Sequence, residues 1–145
     1  MEEEISNKVM SIDYSNTQDS RDVRNLFLKQ CEIVETAIEN SFGVTAEQLK
    51  IRSRLRYIVE ARMAMFWLWK QFFEISTTQL GILYERDHST IIYNIHVAED
   101  LKRFDRFFAK RLLTAQQEVA LKIDSLGETQ LFCKKNQENV LKLQF

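Results

Sequence analysis

Residues 76–90 read STTQLGILYERDHST and contain the most informative local signals of the chain. The first four residues, Ser76 to Gln79, form a Ser-x-x-Gln capping box, which predicts that a short helix follows. Residues 85–87 predict a tight turn, and Asp87 is of a type that caps a second helix. The next three residues, 88–90, would then occupy the first turn of that helix. In a helix-turn-helix this turn points at the edges of DNA bases.

Apolar residues recur at helical spacing through most of the remaining chain, and the 145 residues contain no proline and only three glycines. One helix is predicted to end at Gly43, and a Thr-x-x-Gln box at Thr45 predicts a short second one. From Tyr57 to about Ile75 almost every face is apolar, which is typical of a central helix. The pattern predicts an all-α, helix-turn-helix bundle of at least five helices, with a central apolar helix and a long C-terminal helix.

The length and composition fit one folded domain. Residues 1–20 are polar and acidic and are expected to be disordered, and residues 21–125 are expected to form the helical domain. Residues 126–145 contain apolar positions without a long pattern, so a tail and a docked helix both remain open. The pattern also leaves open whether the chain breaks near Phe104-Asp105.

The net charge of −1 conceals a division along the chain. Residues 1–49 carry four Lys/Arg against ten Asp/Glu, whereas residues 50–125 carry thirteen against nine. Two basic groups stand out, at residues 50–62 and 102–111. Such groups can neutralise DNA phosphates and release counterions. A solvated helix face is the plainer interpretation of either group taken alone.

Other classes of site find little support. Cys31 and Cys133 are far apart, which indicates neither zinc nor a disulfide framework. His88 and His96 have no evident third metal ligand, so we expect no cofactor. The aromatic residues between Phe66 and Phe73 have helical spacing and are expected to be core, although they could stack single-stranded bases. We expect a cytoplasmic protein with no signal peptide, no membrane span and no enzymatic activity.

The Arg-Asp-His-Ser-Thr run at 86–90 resembles the signature of the C-terminal DNA-binding domain of DnaA, the bacterial chromosomal replication initiator. The similarity extends over roughly Cys31 to Phe104, and it is gapless from Arg62 to Gly81. It implies double-stranded DNA as the ligand. The residues that it implies at the DNA interface are Arg54, Arg56, Arg62, Arg86, Asp87, His88, Ser89 and Thr90.

The resemblance also implies a role for each side chain. Arg54 would enter the minor groove, where a narrow A·T-rich groove favours a guanidinium. Arg56 and Arg62 would hold phosphates, which fix the register. In the major groove, Asp87 would accept from a cytosine amino group and His88 would contact a base edge, while Ser89 could serve a base or a phosphate. Thr90 would contact phosphate, aided by its backbone amide.

The chain departs from the family in three places. The turn at Tyr84-Glu85-Arg86 is one residue shorter than the family's Gly-Gly turn, Met63 replaces a glutamine at a backbone-contacting position, and residues 93–97 lack a basic pair. The sequence also contains no Gly-x-x-x-x-Gly-Lys-Ser/Thr loop, so only the DNA-reading module is expected, without ATPase activity.

The most direct functional expectation is recognition of replication-origin boxes of the DnaA type. A transcriptional regulator that uses the same module is an alternative. A second class is a protein-interaction module whose DNA affinity has decayed. In that class, the acidic N-terminal helix or the C-terminal helix would contact a protein partner.

Overall fold

A computed structural model describes residues 20–126, and within this range the chain forms six helices. They are α1 (Ser20–Phe42), α2 (Ala46–Lys50), α3 (Arg56–Phe72), α4 (Thr77–Tyr84), α5 (His88–Phe104) and α6 (Arg106–Leu126). The all-α prediction is confirmed. The expectations of a disordered lead at 1–20 and of a tail or docked helix at 126–145 lie almost entirely outside the described residues.

The helix boundaries follow the local sequence signals. Gly43 ends α1 with a positive φ of 71°, which glycine adopts without steric cost. Both predicted capping boxes are present, at Thr45 for α2 and at Ser76 for α4. In each box the hydroxyl accepts from the backbone N–H of the glutamine three residues on, and the glutamine side chain accepts from the cap N–H.

Helix α3 is the centre of the bundle and contacts α1, α2, α5 and α6. Nine consecutive residues, 61–69, are buried, which confirms the prediction of a helix that is apolar on every face. The helix ends at Phe72 rather than near Ile75, and residues 73–75 connect it to α4. Lys70 Nζ donates to the carbonyl oxygen of Ile75 at 2.6 Å, which helps to satisfy the backbone of this connection.

Aromatic side chains join the bundle to the helix-turn-helix. Trp69 stacks on Phe27 of α1 with ring centroids 5.9 Å apart, and it lies 6.4 Å from the ring of Tyr84 at the end of α4. The indole N–H of Trp69 donates to the Tyr84 hydroxyl at 3.1 Å. Phe66 packs edge-on against the same tyrosine. The aromatic residues between Phe66 and Phe73 are therefore core, as their helical spacing predicted.

The sequence left a break at Phe104-Asp105 open, and the structure has one. Asp105 is extended, and its Oδ1 accepts from the backbone N–H groups of Phe107 at 3.0 Å and Phe108 at 3.1 Å. An aspartate in this role is a helix N-cap. It ends α5, and it allows α6 to turn back and pack along α1.

None of the helices within residues 20–126 is long and apolar enough to cross a membrane. In the same range, no three His, Cys, Asp or Glu residues are grouped as metal ligands.

Candidate nucleic-acid interface

Helices α4 and α5 pack as the two arms of a helix-turn-helix around a turn at residues 85–87. Glu85 is left-handed, with φ 54° and ψ 50°, a conformation that non-glycine residues seldom adopt. The N–H of Arg86 then donates to the carbonyl oxygen of Gly81 at 2.9 Å, which closes the end of α4. A glutamate, rather than a glycine, thus occupies the left-handed position of this turn.

Gly81 permits the close approach of the two arms. A Cβ on this residue would lie 2.4 Å from the carbonyl oxygen of Arg86. A contact this short with a backbone atom is not possible without moving the turn. Gly81 was not among the predicted site residues, although a lone glycine inside a helical pattern is a recognised sign of close backbone packing.

The first turn of α5 presents its polar residues to solvent. His88, Ser89 and Thr90 are exposed, and so is Asp87 before them. Their backbone N–H groups point out of the helix end, because the first turn has no preceding carbonyl in its own helix. Oriented amide groups at a helix N-terminus favour a negative charge such as phosphate.

Asp87 occupies the N-cap position, but its side chain makes no capping hydrogen bond, so the expected cap is absent. Its Oδ2 accepts instead from the hydroxyl of Ser89 at 2.7 Å, and its Oδ1 lies 3.5 Å from Nδ1 of His88. The carboxylate is therefore held on the outside of the turn beside the two residues that follow it. This leaves the amide groups of the first turn available to an external acceptor.

The loop before α3 carries the second group of predicted residues. Arg54 is exposed and has no hydrogen-bond or ion-pair partner within the described part of the chain. Arg56 is 81% exposed at the start of α3, where its Nε donates to Oε1 of Glu60 at 3.0 Å. That hydrogen bond raises the pKa of the Arg56 guanidinium. Both arginines are accessible to a ligand.

Arg62 occupies a different environment from the one that the resemblance implied. Its side chain is buried, with Nε donating to the carbonyl oxygen of Leu49 at 3.2 Å and Nη2 to that of Ile51 at 2.5 Å. Burial, followed by the positive charge of Arg86, lowers its pKa. Arg62 is thus placed to fix the backbone at the end of α2, and a phosphate could use only the three N–H donors that remain on Nη1 and Nη2.

Arg86, in the turn of the helix-turn-helix, contacts the backbone at the end of α2 that Arg62 also contacts. Its Nη2 lies 3.4 Å from the carbonyl oxygens of both Lys50 and Ile51. Because Ile51 also accepts from Arg62, two guanidinium groups meet at one loop. Burial and the charge of Arg52 lower the pKa of Arg86. Three arginines are therefore crowded together, and an anion nearby would relieve their repulsion.

These contacts bring the predicted residues together in two adjacent groups. Arg54 and Arg56 lie on or beside the loop that Arg62 and Arg86 hold, and Asp87 to Thr90 follow directly after Arg86. Arg52 belongs with them because of its interaction with Arg86, and the basic cluster at 50–62 contained the signal for it. Met63, in place of the family's glutamine, is buried and belongs to the core.

An exposed first turn on the second arm, with basic side chains beside it, defines a DNA-binding helix-turn-helix protein. Residues 31–97 match the family model described as the helix-turn-helix of the bacterial DnaA protein. Over these residues the chain is similar to the C-terminal domain of DnaA, as the sequence indicated. The match covers α2 to α4 completely and includes parts of α1 and α5.

Curated relatives agree with this result. The chain is 36% identical over 73 residues to the chromosomal replication initiator protein DnaA of Desulfotalea psychrophila, and the match covers 50% of this chain. It is 35% identical over 69 residues, 47% of this chain, to that of Treponema pallidum strain Nichols. It is 30% identical over 77 residues, 52% of this chain, to that of Chloroflexus aurantiacus strain J-10-fl. The matches span only 15 to 16% of these relatives.

Proposed function

We propose that this chain binds double-stranded DNA in a sequence-specific manner, with α5 in the major groove and the loop at Arg54 in the adjacent minor groove. The observation that carries the proposal is that Arg86 connects the two groups of candidate residues, the loop at Arg54 and the first turn of α5. Arg86 immediately precedes the exposed turn of α5, and it bonds to the carbonyls of the loop that carries Arg54. One rigid unit therefore presents both groups to one ligand.

The division of labour follows from the exposure and the partners of each side chain. His88 and Asp87 are free to meet base edges, and Ser89 orients the Asp87 carboxylate through its 2.7 Å hydrogen bond. Thr90 and the first-turn amides would bind phosphate. Arg54 and Arg56 would supply minor-groove and phosphate contacts. Arg62 and Arg86 would act mainly by positioning, because carbonyl oxygens already occupy several of their donors.

Because of the Asp87 carboxylate, discrimination between duplex sequences tests the proposed interface more sharply than affinity does. Among phosphates a carboxylate is electrostatically unfavourable unless it finds a donor such as a cytosine amino group. Asp87→Ala and His88→Ala should each remove about 1 to 3 kcal/mol of discrimination between an initiator-type box and a scrambled duplex. Binding to the scrambled duplex should change little.

Anisotropy titrations of labelled duplexes at two salt concentrations test the proposal. Arg54→Ala should weaken binding to both duplexes and reduce the salt slope by about 0.9, because the minor-groove guanidinium also neutralises one unit of DNA charge. Lys122→Ala is the matched control, since it removes an exposed cation of α6 that lies beside residues 29–36 of α1 and outside the proposed interface. If Arg54→Ala and Lys122→Ala have the same effect, the proposed interface is wrong.

The biological setting is part of the same proposal. Because the relatives are named chromosomal replication initiators, boxes of the DnaA type are the first duplexes to test. We infer that the chain recognises such boxes in the cytoplasm as a DNA-reading module and does not hydrolyse ATP. Selection of ligands from a random duplex pool tests which DNA sequence the chain prefers. Enrichment of a sequence unrelated to DnaA boxes would favour a transcriptional regulator that uses the same module. No enrichment would contradict sequence-specific binding.

A further inference from the structure

The corner between α5 and α6 exposes two phenylalanines. Phe104 is 84% exposed and Phe107 is 75% exposed, the highest values among the large hydrophobic residues that the structure describes. Burial of an aromatic side chain ordinarily stabilises a fold, so the exposure of both rings forgoes that stabilisation. Both residues lie outside the part of the chain that matches the DnaA family model.

The exposure is fixed by the fold of the corner. Asp105 caps α6 through two hydrogen bonds, and its own N–H donates to the carbonyl oxygen of Leu101 at 2.8 Å. Phe108 is 1% exposed and packs edge-on against Phe42 of α1, with ring centroids 5.7 Å apart. Because successive helical residues point about 100° apart, the anchoring of Phe108 directs Phe107 away from the core.

Positive charge surrounds the two rings. Four exposed cations lie within residues 103–111, and none of their side chains has a hydrogen bond or ion pair within the described part of the chain: Arg103, Arg106, Lys110 and Arg111. Lys110 and Arg111 follow Phe107 by three and four residues and therefore share its face of the helix. The only carboxylate in this segment, that of Asp105, is occupied by the helix cap and lies 3.9 Å from Nη2 of Arg56.

We propose that Phe104 and Phe107, with the four cations around them, form a binding site for single-stranded DNA. Flat aromatic faces among cations are what unpaired bases and their phosphates require. A duplex has no unstacked base to offer these rings. A second copy of the same corner would bring four cations against four, which opposes a symmetric dimer. The contact of Arg56 with Asp105 places this site beside the start of α3, so one strand could pass between it and the loop at Arg54.

The test uses the full chain and a fluorescein-labelled 15-residue oligothymidine, which forms no duplex and contains no box. The double variant Phe104→Ala, Phe107→Ala should bind oligothymidine at least about tenfold more weakly, given the contribution of aromatic–base stacking. Its affinity for duplex DNA should be unchanged, which separates this site from the proposed duplex interface. Leu121→Ala is the matched control, since Leu121 is 69% exposed and lies on α6, as Phe107 does. This substitution should not change oligothymidine binding.

A second variant separates stacking from simple apolar contact. Phe104→Leu with Phe107→Leu keeps the apolar surface but removes the flat rings, and it should weaken oligothymidine binding nearly as much as the alanine pair. Arg103→Gln with Arg106→Gln should reduce the salt slope on oligothymidine by about 1.4, or 0.7 for each contact.

Three results would overturn the proposal. The first is no binding of oligothymidine, or equal binding by the unmutated chain and the alanine pair. The second is an equal loss on the duplex, which would make the corner part of the duplex interface. The third is full oligothymidine binding by the leucine pair, or a lower molar mass of the alanine pair than of the unmutated protein in light scattering without DNA. Either result would indicate that the corner contacts protein instead.

Discussion

Gly81→Ala tests the close packing of the helix-turn-helix. Replacing glycine by alanine within a helix ordinarily stabilises it by about 1 kcal/mol. Here the added Cβ would lie 2.4 Å from the Arg86 carbonyl oxygen. Real Cβ atoms essentially never approach another heavy atom closer than 3.0 Å, so the turn must open by at least 0.6 Å (3.0 − 2.4). The displaced atom is backbone, and Arg86 also donates to Gly81.

Overpacking of this kind costs about 1 to 3 kcal/mol, and a weakened hydrogen bond adds about 1 kcal/mol. Set against the helix gain, the net loss of unfolding free energy should be about 1 to 3 kcal/mol. Urea unfolding followed by the fluorescence of the buried Trp67 and Trp69 measures it. Duplex affinity should also fall, because Arg86 and the start of α5 move together.

Thr78→Ala is the control for the helix term, because Thr78 is exposed on the same helix. It should stabilise the protein slightly or leave it unchanged. A Gly81→Ala variant that gains stability to the same extent would show that α4 and the turn do not approach as closely as described.

Three other substitutions test the core, the buried charge and the loop. Leu68→Ala, at a fully buried position in α3, should cost about 2 to 5 kcal/mol in urea unfolding, and a loss below about 0.5 kcal/mol would place the helix at the surface. Burial raises the pKa of Glu35, so the folded state retains its proton more tightly and the unfolding free energy should fall as pH rises above the ordinary carboxyl range. Glu35→Gln should flatten that dependence, whereas Glu32→Gln, at an exposed position on α1, should preserve it. Arg62→Ala should lower both stability and duplex affinity, and a variant of normal stability with only a reduced salt slope would instead identify Arg62 as a phosphate contact.

The local signals in the sequence were enough to predict the helices. The capping boxes at Thr45 and Ser76, the glycine stop at Gly43 and the largely apolar segment from Tyr57 to about Ile75 each depend on residues that are close together in the chain. Short-range hydrogen bonds and periodicity determine such features. The same signals could not decide the break at Asp105, because an aspartate caps a helix only when its backbone is extended.

The sequence could predict which residues form the candidate site, but not how exposed their side chains are or which groups they contact. The signature at 86–90 and the cluster at 50–62 predicted which side chains form the candidate site. Whether an arginine is exposed like Arg54 or buried like Arg62 depends on contacts with the distant carbonyls of residues 49–51. The role of Asp87 also depends on a choice between a backbone N–H and the Ser89 hydroxyl, which only the geometry resolves.

Amide chemical-shift mapping of the isotope-labelled chain, titrated with a duplex that contains an initiator-type box, locates the DNA interface residue by residue. We expect the largest shifts to fall on the loop around Arg54 and on His88, Ser89 and Thr90, and to diminish with a scrambled duplex. Largest shifts along the packed faces of α1 and α6, with the start of α5 unaffected, would contradict the proposed interface.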